Sequence, residues 1–73
     1  MNKREYCHKL ADVNEALYHN EKELREVKFK LVMEDDLGKR AWFAIAQERL
    51  IQERDELNEK RMALEAEGYS DSE

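Results

Sequence analysis

Leu31–Val32–Met33–Glu34–Asp35–Asp36–Leu37–Gly38–Lys39–Arg40–Ala41–Trp42–Phe43–Ala44–Ile45–Ala46 is the stretch whose reading decides the fold. Ahead of it a leucine recurs every seven residues, at Leu10, Leu17, Leu24 and Leu31. Tyr6, Val13, Asn20 and Val27 alternate with these leucines at spacings of three and four. The pattern is a heptad seam with leucine at a and the second set at d. Carried past Leu31, the same seam would run through Glu34, Gly38, Ala41, Ile45, Glu48, Gln52 and Asp55, most of them polar, and it is lost. A skip of three or four residues does not recover it. A new ladder starts instead at Phe43, Leu50, Leu57 and Leu64, with Ala46 beside it. One continuous, uniformly paired helix does not fit this break.

The chain is therefore expected to turn inside the quoted stretch. Glu34, Asp35 and Asp36 are badly placed at a helix C-terminus, where the macrodipole is negative. They are well placed as the cap and first turn of a second helix, with Asp35 or Asp36 as N-cap. Asp35–Lys39 and Asp36–Arg40 are i,i+4 pairs that favour a continuous helix, but each is worth only about 0.2–0.5 kcal/mol. Losing a whole apolar seam costs more. The sequence thus predicts an all-α, antiparallel two-helix hairpin, coiled-coil-like, occupying residues 1–66. Helix 1 is expected over about 3–33, the turn over 34–36, and helix 2 over 37–66 with Gly68 as its stop. Residues 67–73 are expected to form an acidic, flexible tail. Folded about residue 35, the helices match end to end: Asn20 meets Leu50, Val13 meets Leu57 and Tyr6 meets Leu64. Asn20, the polar d residue, is expected to fix register at some cost in stability.

Composition agrees with long helices. Charged residues make up 42% of the 73 and apolar ones 41%, with no proline and two glycines, the balance of a helical or coiled-coil chain. The formal net charge is −5, which disfavours general affinity for nucleic acid or an anionic membrane. A lone cysteine, Cys7, cannot form an internal disulfide and suits a reducing compartment. No stretch approaches the roughly 20 apolar residues of a membrane span, and the basic N-terminus has no apolar core of a signal peptide. A cytoplasmic protein is expected.

Some apolar residues are left over. Phe29, Val32 and Met33 fall at f, b and c of the first seam, positions that ordinarily face water. Trp42 and Ile45 lie off the second ladder. These five residues are expected to form one protein interface at the hairpin tip. Burying Phe29, Trp42 and Ile45 would contribute about 5–9 kcal/mol against an association cost of about 4–15 kcal/mol. A symmetric dimer uses such a patch twice, so a four-helix bundle of two hairpins is expected. In architecture the chain resembles the Rop-type hairpin dimers, with two near-equal helices, an Asp-bearing turn and a short polar tail. That likeness concerns shape and implies a homodimeric bundle, with an RNA contact as one possible activity.

Material for catalysis is sparse. Both serines, Ser70 and Ser72, lie in the tail and there is no threonine, so the helical body has no hydroxyl nucleophile. Cys7 and His8 point about 100° apart on a helix and cannot form a nucleophile–base pair. Glu5 and His8 fit the Glu-x-x-His spacing of di-metal bundles, but both face outward beside the core residue Tyr6. Lys22, Arg25, Lys28 and Lys30 are interleaved with Glu21, Glu23 and Glu26, which weakens any basic stripe. No cofactor is expected. The expected function is a non-enzymatic interaction module, homodimeric and binding another protein. A small regulator docking on a larger complex and a Rop-like RNA binder are the alternatives.

Overall fold

The computed structural model describes residues 1–70 and is a helical hairpin. Helix α1 spans Lys3–Met33 and helix α2 spans Leu37–Glu67, each of 31 residues. They pack against each other along their length as a rod 59 × 15 × 11 Å.

Each helix end has a local cause. Asn2 caps α1 and accepts from the Glu5 N–H at 2.8 Å. Asp36 caps α2 and accepts from the Lys39 N–H at 3.0 Å, while Glu34 accepts from the Asp36 N–H at 3.2 Å. The acidic cluster therefore satisfies backbone donors that would otherwise be orphaned at the start of α2. Gly68 ends α2 with φ 65°, and its N–H donates to the Leu64 carbonyl at 2.9 Å. A left-handed φ at a helix stop is a position that glycine fills without a Cβ penalty.

The interior is one seam. Leu24 and Leu50 are the buried apolar residues, joined by a buried Asn20. Tyr6, Leu10, Val13, Leu17, Val27 and Leu31 on α1 are half-buried, as are Phe43, Ala46, Leu57 and Leu64 on α2. Gln47, Arg54 and Arg61 are half-buried too. They stand four residues after Phe43, Leu50 and Leu57 and supply the second row of the α2 seam. Long polar side chains can cover an apolar seam with their stems while the heads reach water.

The C-terminal end departs from the expected free tail. Glu67 belongs to α2, the Tyr69 ring lies 5.1 Å from that of Tyr6, and the Ser70 N–H donates to the Met1 carbonyl at 3.1 Å. The turn at Gly68 folds the chain back over the open end, where Tyr6 is the last large seam residue. The remainder of the expected tail, positions 71–73, lies outside the described residues.

Candidate interaction surface

A two-helix rod buries one stripe of each helix and leaves the rest to solvent. Trp42 is 72% exposed and Val32 80%. Phe29, Met33 and Ile45 are exposed as well. Leu37, the first residue of α2, is exposed to 81% and adds to the apolar tip. Sequence periodicity gave no reason to single it out, since it stands alone behind the cap.

Of the five tip residues expected to form one interface, two line a common groove. Trp42 and Ile45 border a groove of about 570 Å³ whose other wall is α1, through Glu23, Glu26, Val27 and Lys30. Ala46 and Leu50 form its floor side on α2, with Arg49 and Glu53 on the rim. Phe29, Val32 and Met33 do not line it. At 100° per residue they lie about 120–160° round the α1 axis from Val27, with Met33 about 20° and Phe29 about 60° from the wall residue Glu26. End-to-end matching places residues at a common height on the rod but says nothing of the side they occupy. The tip thus carries exposed apolar residues both in the groove and outside it.

The groove face continues towards the open end. There a second, shallower groove is lined by Lys9, Asp12 and Val13 of α1 and by Lys60, Ala63, Leu64 and Glu67 of α2. The opposite side of the rod is more polar: Asn14, Tyr18 and Glu21 face Arg54, Asn58 and Arg61.

Chemistry-bearing side chains stay apart. Cys7 is exposed. His19 and Glu15 approach to 3.8 Å on the surface, an i,i+4 contact of small energetic weight. Among the described residues no group of three or more His, Cys, Asp or Glu comes together as a metal site. Among the described residues no helix is long and apolar enough to cross a membrane. No protein-family model matches the chain, and comparison with curated proteins and with solved structures finds no match.

Proposed function

We propose that this chain is a helical interaction module that pairs with a second copy to form a four-helix bundle. It then presents its outer tip to another protein. The observation that carries this reading is the area left uncovered. The hairpin exposes 5921 Å², whereas a compact protein of 8.8 kDa exposes about 4,800 Å². Its radius of gyration is 16.8 Å, against about 11 Å for a compact domain of this length. A compact particle of twice the mass exposes about 7,900 Å², so two hairpins reaching that compactness cover about 3,900 Å² between them. That falls inside the range of about 2,000–5,000 Å² for obligate homodimers.

The groove face suits the second copy, because its apolar floor is continuous with the hairpin seam. The outer tip, with Phe29, Val32, Met33 and Leu37, then remains free for a different protein, as a regulator docking on a larger assembly would require. Contiguous apolar surface on a small protein marks such contacts. The lone exposed thiol fits a cytoplasmic setting.

Sedimentation equilibrium across a range of concentrations tests the pairing. A dimer mass at micromolar concentration is expected, and Ile45→Glu should return it to the monomer with helicity retained. A wild-type monomer at high micromolar concentration would overturn the reading.

A further inference from the structure

Rotating a second copy onto the groove face allows two directions, with the tips together or with the rods end over end. The charge pattern separates them. The Asn20–Leu50 hydrogen bond and the Asn2–Ser70 bridge fix which residues of α1 and α2 stand at one height. Counted from these, Glu23 stands within about 3 Å of the height of Arg49, and Asp12 within about 3 Å of that of Lys60. Lys30 and Trp42 share a height in the same way. All six residues line the two grooves of this face. At two of the three acidic positions of the α1 wall, Glu23 and Asp12 but not Glu26, the α2 wall therefore carries a cation.

On these grounds we propose that the second copy seats on the groove face with its tip at the same end. The two-fold axis then runs along the rod, and α1 of each copy lies against α2 of the other. Glu23 faces the partner's Arg49, and the partner's Lys60 lies between Asp12 and Lys9 in height, paired with the first and set against the second. Trp42 closes over the partner's Val27, with the partner's Lys30 ammonium beside its ring, a contact that favours a cation. The apolar floors around Ala46 meet at the tip end, where most of the exposed hydrophobic area lies. The end-over-end alternative is electrostatically poorer. Turned about the middle of the rod, it brings Glu23 and Glu26 to within about 3 Å of the partner's Asp12 in height and Glu53 to within about 3 Å of the partner's Glu53, set against opposite-charge pairs of Lys9 with the partner's Glu26 and Arg49 with the partner's Glu53. Like charges set against each other select against a partner arrangement more strongly than matched pairs favour one.

The proposal rests on self-association, and two measurements distinguish its failure from the failure of that reading. In a Cys7→Ser, Leu37→Cys chain, a spin label at position 37 marks the tip, away from both grooves. Pulsed dipolar spectroscopy should give a label–label distance below about 35 Å with the tips together. The end-over-end dimer requires about 45 Å along the axis alone. A dimer of the correct mass with the long distance would overturn the orientation and leave the pairing standing, and absence of any dimer would overturn both. Charge reversal supplies the second measurement. Glu23→Lys should weaken the dimer several-fold, Arg49→Glu likewise, and the double variant should recover most of the loss. In the end-over-end arrangement Glu23→Lys would instead tighten the dimer through the partner's Asp12.

Discussion

The Asn20 carboxamide donates through Nδ2 to the backbone carbonyl of Leu50 at 2.9 Å, joining the two helices at mid-length. Asn20 is 4% exposed, yet its Oδ1 is buried without a hydrogen-bond partner. One half of the amide thus fixes the register, and the other half is left as an unsatisfied acceptor. A leucine at the same d position would satisfy neither half and need neither. The geometry therefore favours specificity over stability at this site.

Replacing Asn20 with Leu should raise the unfolding free energy by about 1–3 kcal/mol, since it removes an unpaired buried polar atom. Urea denaturation measures this. The same change should loosen the register, read as broadened amide resonances along α2. Asn20→Asp should behave oppositely. Burial disfavours the carboxylate and raises its folded pKa above the unfolded value of about 3.9. At low pH the protonated acid can donate to Leu50, so its cost appears only as pH rises through about 4 and grows above it. A variant equally destabilised at pH 3 and pH 7 would contradict this account.

The hairpin itself was legible in the sequence. The break in heptad phase after Leu31, together with Glu34, Asp35 and Asp36, located a turn because each has a short-range physical meaning. The pairing of Asn20 with Leu50 also followed, since two helices of equal length joined by a short turn have one end-to-end match. The α2 seam was legible in half. Its leucine row was visible, but Gln47, Arg54 and Arg61 were not, because a search for apolar spacing passes over polar residues whose stems do the covering. The sides on which Phe29, Val32 and Met33 stand relative to Trp42 and Ile45 were not legible for a different reason: which side of a hairpin a residue occupies depends on how both helices are rotated about their axes.

Trp42 is the sole tryptophan and is largely solvent-exposed in the single hairpin. Its fluorescence should therefore report coverage of the groove face directly. The emission maximum should move to the blue as concentration rises through the dimerisation range, and Ile45→Glu should abolish the shift. In contrast, Trp42→Ala should cost the hairpin under about 1 kcal/mol, while Leu24→Ala should cost about 2–5 kcal/mol as a buried truncation. Equal losses at the two positions would mean that Trp42 belongs to the intramolecular core.

Tyr69 folds back against Tyr6, with the Lys3 ammonium 6.0 Å from its ring centroid. An aromatic pair of this kind contributes about 0.5–1.5 kcal/mol. Tyr69→Ser should reduce stability by that amount and speed amide exchange over residues 3–8, the first turns of α1. Unchanged exchange there would show that the clasp does not hold the open end.

Gly38 and Asp36 offer a test of the turn that depends on one contact. A Cβ at Gly38 would meet the Asp36 Oδ1 at 3.2 Å, the oxygen that accepts from the Lys39 N–H. Helix propensity favours Ala over Gly by about 1 kcal/mol, but the methyl group must displace the capping oxygen by a few tenths of an ångström. Gly38→Ala alone should therefore leave stability nearly unchanged. Asp36→Ala alone should cost about 1 kcal/mol through loss of the cap. In the Asp36→Ala background the clash is absent, so adding Gly38→Ala should recover most of that loss. A double-mutant cycle by thermal or urea unfolding then yields a coupling of about 0.5–1 kcal/mol. Strict additivity would show that the cap and the glycine do not sense one another.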